Sequence, residues 1–167
     1  VSVFLEPIAL YMTKDLHEAG DGQWLFPYPA QDEAMPLGAG RVYDADADDL
    51  VVFTYGNGVP MSLRAARSIE KKHGWKVRVV DLRWLVPLNA TFIAEQAKTA
   101  KRILVVDEGR HAAGVGEGVI TAIAEAGYRA RPFQRVVGAD TYTPLAGAAF
   151  LVLPGDEDIV AAADRLA

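Results

Sequence analysis

From Pro36 onward, short unbroken apolar runs alternate with longer stretches whose apolar residues recur every three or four positions. The first pattern marks strands covered on both faces, and the second marks helices with one buried stripe. Residues 50–55 form a β-branched and aromatic run closed by Gly56-Asn57-Gly58. A helix is predicted over 59–73, with Pro60 in its first turn, Leu63, Ala66 and Ile69 on one face, and Gly74 as its stop. The next strand is predicted over 75–80. Asn89 then caps a helix reaching about residue 100, with Phe92, Ile93 and Ala97 inward and Lys98, Lys101 and Arg102 near its negative end. A strand at 103–107, a helix over 115–126 with Val119, Ile120 and Ile123 on one face and Gly127 at its end, a strand at 133–137 and a helix over 156–166 complete the series. Residues 41–44 read as a short edge strand, parallel or antiparallel. Strands alternating with helices imply right-handed crossovers and a parallel sheet. The expected fold is α/β, a three-layer α/β/α sandwich with a mostly parallel sheet of about five strands.

Residues 1–36 follow no such rhythm. Val1-Ser2-Val3-Phe4-Leu5 is an apolar β-type run with no Met and no turn before it, and residues 1–11 read as a strand with a short extension. A buried strand at the very start reads as the cut edge of an upstream element, against the alternative of an ordinary first strand. Residues 12–36 hold Gly20, Asp21, Gly22, Pro27, Pro29 and Pro36 among Trp24, Phe26 and Tyr28. That is a long connection lying on a surface through aromatic anchors. The chain therefore divides into 1–36 and 37–167.

Composition narrows the function classes. At 167 residues with 51% hydrophobic and 23% charged positions, the chain fits one globular domain able to bury a core without staples. No apolar run approaches the ~20 residues a membrane span needs. A net charge of -5 argues against a nucleic-acid surface. The absence of cysteine excludes disulfides, thiolate metal sites and thiol nucleophiles. Nothing at the N-terminus has the order of a signal peptide, so a cytoplasmic location is the default expectation.

Two loops carry candidate chemistry. Strand, Gly56-Asn57-Gly58, then helix offers backbone N–H groups to an anion, and Asp81 ends the next strand where a ribose-binding acid would stand. Met61 occupies the place of the third glycine, and a plain strand-to-helix turn is the competing explanation. The second loop, Asp107-Glu108-Gly109-Arg110-His111 followed by Gly114-Val115-Gly116-Glu117, lies at the C-terminal end of a parallel strand. Glu108 and His111 are an acid–base candidate there, set against a solvated or subunit-contact loop. His17, His73 and His111 are scattered without metal-ligand spacing. No Gly-x-Ser-x-Gly elbow and no Gly-x-x-x-x-Gly-Lys loop occurs.

The order of segments carries a resemblance along essentially the whole chain. Phe4-Leu5-Glu6-Pro7 with Tyr11, Pro36-Leu37-Gly38, Val79-Val80-Asp81-Leu82-Arg83 with Pro87-Leu88, Val105-Val106-Asp107-Glu108-Gly109 and Arg135-Val136-Val137-Gly138-Ala139-Asp140 with Pro144 resemble the β subunit of 2-oxo acid dehydrogenase decarboxylating components, of the pyruvate and branched-chain type. The resemblance implies that residues 1–11 end a pyrimidine-binding domain, that 12–36 are the linker, and that the rest is a transketolase-type C-terminal domain. It implies a parent oxidoreductase that uses thiamine diphosphate and Mg²⁺, held by parts upstream or on an α subunit or α segment, and a fragment that is inactive and binds neither alone. The implied partners are the upstream pyrimidine-binding domain, the α subunit or segment, a second copy as homodimer and the lipoyl acyltransferase core. Transketolase or deoxyxylulose-phosphate synthase is a related alternative, and a nucleotide-binding α/β module a third.

Departures from the family pattern are Asn89 for a usual Asp, Glu117-Gly118 for Ala-Glu, Phe150 for a Glu, and a short stretch between Gly127 and Pro132. The residues singled out as interface or structural candidates are Arg83, Trp84, Glu108, His111, Glu117, Arg135 and Asp140. Arg83 either braces a subunit interface or the linker through a carboxylate or closes its own strand end. Trp84 and Leu85 are apolar for a loop, which fits burial against a neighbouring domain or subunit. Val3, Phe4, Leu5 and the aromatics of residues 24–28 are expected to pack on this domain or on a second copy, and exposure in a monomer counts against that expectation.

Overall fold

A computed structural model describes residues 1–167. Five strands, β1 (Arg41–Tyr43), β2 (Leu50–Thr54), β3 (Val77–Asp81), β4 (Ile103–Asp107) and β5 (Phe133–Val137), form one sheet in the order β1-β3-β2-β4-β5. β2 runs parallel to β3 and β4, and β4 parallel to β5, while β1 is antiparallel to β3. Helices α1 (Gly58–His73) and α4 (Asp156–Asp164) cover one face, and α2 (Ala90–Ala97) and α3 (Val115–Ile123) the other. The expected three-layer sandwich is thus present, with its short strand antiparallel at the edge.

Alternation along the strands divides the core in two. Leu50 and Val52 of β2 meet Ala65, Ile69, Ile159 and Ala162, while Val51 and Phe53 meet Ile93, Ala97 and Val119. Because both faces are covered, the strands read as unbroken apolar runs. Each large side chain withdrawn from water in this way contributes ~1.5–3 kcal/mol. The buried stripe of α1 runs through Ser62, Ala65 and Ile69, with Leu63 and Ala66 at its margin.

Local chemistry sets the element ends. Asn89 caps α2 as expected, its Oδ1 accepting the Phe92 N–H at 3.0 Å while its Nδ2 donates to the Gly38 carbonyl at 3.0 Å. α2 stops at Ala97, short of residue 100. Lys101 reaches Asp48 and Asp49 at 3.0 and 2.9 Å, and Arg102 stacks on Trp75 at 3.9 Å, so neither serves the helix end. Trp75 also stacks on His73 at 4.5 Å and lies outside β3, which begins at Val77. α3 gives way at Ala124 to a wide turn in which Gly127 takes φ 92°.

Residues 1–11 are not a strand. Only Ile8–Leu10 is regular, as one 3₁₀ turn, and neither edge strand of the sheet pairs with the run before it. Without a neighbouring strand its backbone groups have no ladder to join, so an apolar β-type sequence stays irregular. Val3, Phe4 and Leu5 are exposed, Phe4 at 85%. The expectation that they pack on this domain fails, and their exposure in the single chain counts against the buried-strand reading to that extent.

The aromatic anchors expected within residues 12–36 hold in part. Trp24 packs edge-on against Phe26 at 5.2 Å, and Phe26 lies under the Arg41 guanidinium at 4.8 Å, whereas Tyr28 is fully exposed. Just before them the chain folds around two carboxylates. Asp21 accepts the N–H groups of Leu16, His17, Glu18 and Gln23, which hold its carboxyl well below the usual range, and Asp15 accepts those of Gly20 and Gly22.

Candidate functional site

The strand order creates a switch point. The chain leaves β2 through α1 to β3 on one side, then returns past β2 through α2 to β4 on the other. The crevice at the C-terminal ends of β2 and β4 is where open α/β sheets place ligands. Four side chains meet there. Tyr55 Oη donates to Asp107 Oδ1 at 2.7 Å, and Asn57 Nδ2 donates to Glu108 Oε2 at 3.0 Å. Both bonds cross from the end of β2 to the end of β4.

Asp107 is the centre of this arrangement. It is 1% exposed and also accepts the N–H groups of Gly109 and Gly116, each at 2.8 Å. The loop can wrap this closely because it lacks side chains where it passes: a Cβ at Gly114 would sit 2.7 Å from Asp107 Oδ2. Burial pushes the Tyr55 hydroxyl far above its ordinary range, helped by its bond to Asp107 and by the Asp107 charge. Burial also raises Glu108, and Asp107 adds to this, while the bond from Asn57 opposes it. Tyr55 therefore holds its proton well beyond the ordinary tyrosine range, and Glu108 holds its own to higher pH than an ordinary carboxyl.

The remaining candidates fall into three settings. His111 is exposed, and it is its carbonyl that is held, by Arg135 Nη2 at 2.7 Å. Glu108 bonds Asn57 instead, so no hydrogen bond joins the proposed acid–base pair. Glu117 accepts the Ala113 N–H at 2.9 Å and so closes the same loop onto the first turn of α3. Arg135 and Glu117 thus pin the loop at two points. Arg83 closes its own strand end: Nε and the backbone N–H reach Asp81 at 3.2 Å each, and Nη1 reaches the Met35 sulfur of the linker at 2.9 Å. It touches the linker through a thioether and not through a carboxylate. Trp84 is half-buried, and half-buried Leu85 packs with Leu88 on this chain's own α2–α3 core. Asp140 is exposed and meets no partner.

The Gly56–Gly58 turn is closed on itself. The Gly58 N–H donates to the Tyr55 carbonyl at 3.0 Å and the Val59 N–H to the Gly56 carbonyl at 3.2 Å. A Cβ at Gly58 would overlap Thr54 Oγ1, so this glycine serves close packing of helix on strand. With Asp81 held by Arg83, the nucleotide alternative finds neither an open amide cradle nor a free acid. Sequence reasoning missed Tyr55, Asn57 and Asp107 as a group. The available signal was an acid ending an apolar strand with Gly109, Gly114 and Gly116 close behind it. No three His, Asp or Glu side chains are grouped to hold a metal ion, and no helix is long and apolar enough to cross a membrane.

Against this geometry stand the likenesses to other proteins. The family described as "Transketolase, C-terminal domain" matches residues 39–156. The chain is 32% identical over 134 residues to the pyruvate dehydrogenase E1 component subunit beta of Staphylococcus aureus, covering 79% of this chain and 41% of that protein. It is 32% identical over 166 residues to the 3-methyl-2-oxobutanoate dehydrogenase subunit beta of Mycobacterium tuberculosis, covering 98% of this chain and 44% of that one. The chain thus spans less than half the length of these relatives. Among solved structures, a split gene transketolase described as an inactive beta4 tetramer superimposes with a TM-score of 0.67 at 23% identity, over 82% of this chain and 44% of the other. A 2-oxoglutarate:ferredoxin oxidoreductase from Magnetococcus marinus does so with 0.51 at 14%, over 77% and 19%. At these identities the two structures speak for the fold alone.

Proposed function

The chain belongs to the transketolase C-terminal domain family, and from that membership we propose that it serves as the assembly domain of a 2-oxo acid dehydrogenase β subunit. The parent enzyme would decarboxylate a 2-oxo acid on thiamine diphosphate and acylate a lipoyl group. Residues 1–36 would be the end of a pyrimidine-binding domain and its linker, and 37–167 the assembly domain proper. Partners would be that upstream domain, an α subunit or segment, a second copy and the lipoyl acyltransferase core.

One contrast carries this reading: the crevice where such a sheet would hold a ligand is bridged by Tyr55–Asp107 and Asn57–Glu108, while large apolar side chains face outward. The outward set includes Phe4, Leu5 and Ile8 near the start and Tyr142, Leu145, Phe150 and Leu151 after β5. Apolar surface in such groups marks contact with another protein surface. Phe150 in place of a customary Glu fits an apolar contact there. The residues do not fit thiamine diphosphate or Mg²⁺, since no three acidic or histidine side chains are grouped to hold a metal ion and the first amides of α1 face their own turn. No step of that chemistry is assigned to them.

Analytical ultracentrifugation tests the reading. The chain should self-associate at about 100 µM, and a Leu145→Asp/Phe150→Asp variant should weaken association by about tenfold or more. A strictly monomeric chain, or tight thiamine diphosphate and Mg²⁺ binding by calorimetry, would overturn it.

A further inference from the structure

A second concavity of about 700 Å³ lies between the linker and the β1–β3 edge, walled by Trp24, Phe26, Pro27 and Tyr43, with Arg41 and Arg83 on its polar side. Arg41 is held in an unusual way. Its guanidinium lies 4.8 Å from the ring centre of Phe26 and 4.8 Å from that of Tyr43. Both rings contact the exposed group by cation–π interaction, and although the charge of Arg41 acts on nearby Asp81, its N–H donors meet no acceptor in the chain. Two carboxylates also line the concavity. Asp81 is matched by Arg83, and Glu33 turns to the Ala30 N–H at 3.2 Å.

A flat cation flanked by two aromatic rings can grip a planar anion through two parallel hydrogen bonds. Arg83 Nη1, bonded only to a thioether, a weak acceptor, is a second donor on the same wall. The walls are apolar and aromatic, so the rest of the ligand must be apolar too. We propose that this concavity binds a small molecule with one carboxylate and an aromatic or branched apolar body, its carboxylate on Arg41. The site stands on the geometry of the concavity and not on the assembly reading.

Titration of the 167-residue chain with phenylacetate and with its neutral isostere phenylacetamide, followed by amide and indole shifts in NMR spectra, tests it. Phenylacetate should shift Trp24, Tyr43 and Arg41 saturably, with phenylacetamide weaker by about tenfold or more. Arg41→Gln should abolish the difference between acid and amide, whereas Arg129→Gln on the exposed surface should leave it intact. Equal affinity for acid and amide in the wild-type chain overturns the proposal without recourse to any variant, as does the lack of saturable shifts. Displacement of phenylacetate by a tighter-binding acidic hexapeptide would make the occupant a chain segment and overturn the small-molecule assignment.

Discussion

Two strands of this sheet end in the same three residues, Val79-Val80-Asp81 in β3 and Val105-Val106-Asp107 in β4, yet the two aspartates live differently. Asp107 lies beyond reach of water and is held by three neutral donors, the Tyr55 hydroxyl and the amides of Gly109 and Gly116. Asp81 faces the concavity beside the edge strand and is held by Arg83, a cation two residues away. β4 sits between two parallel neighbours and its following loop folds back over it, whereas β3 has only the three-residue β1 on its outer side. Identical local sequence therefore yields a buried keystone in one place and a surface-linked ion pair in the other. What separates them is which backbone amides the tertiary fold brings to the carboxylate.

The sharpest way to break this contrast is to remove each carboxylate. Asp107→Ala strands a hydroxyl and two amides in the interior and should cost about 4 kcal/mol in urea denaturation. Asp81→Ala should cost under about 1 kcal/mol, because its partner can return to water. Equal losses would erase the distinction. Gly114→Ala probes the same keystone from the loop side: its methyl would press on Asp107 Oδ2, and a loss of about 2 kcal/mol is expected by thermal melting. Tyr55→Phe should cost about 1 kcal/mol and should delete, from a spectrophotometric titration, the tyrosine that ionises far above the ordinary range. If the latest-titrating tyrosine persists in the variant, the Tyr55–Asp107 bond is wrongly assigned.

The smallest effect is a matter of pH. Burial raises Asp81, with Arg83 opposing, so the folded chain holds this proton more tightly than the unfolded chain does. Its contribution to stability is therefore greatest at low pH and declines as pH rises from the ordinary carboxylate range through the raised value. Asp81→Asn should flatten part of that decline, leaving the part that Glu108 supplies for the same reason. A steeper decline in the variant, read from midpoints across pH 4 to about 7, would reverse the assigned sign.

Much of the candidate site was visible in fragments. The loop from Asp107 to Glu117 stood out by its glycines and charges, and Arg135 and Glu117 do fix it in place. Glu108 and His111 were paired by proximity in sequence, but the strand-end geometry sends Glu108 across the crevice to Asn57, fifty-one residues away along the chain. In the sequence Asn57 reads only as the middle of a turn. The N-terminal run failed for the opposite reason. Its composition is that of a strand, but a strand exists only where a neighbouring strand takes its hydrogen bonds, and in this chain Val1 to Leu5 find none.

The sequence by itself determined the layers. Unbroken apolar runs of about five residues alternating with amphipathic helices admit little besides a covered parallel sheet, because burial on both faces and right-handed crossovers are local consequences of side-chain period and chain twist. Only the tertiary structure decided what the strand ends do. Whether an aspartate is a keystone or an ion pair, and whether an arginine rests on two aromatic rings, depends on groups distant in sequence that the sheet order brings within about 3 to 5 Å of one another.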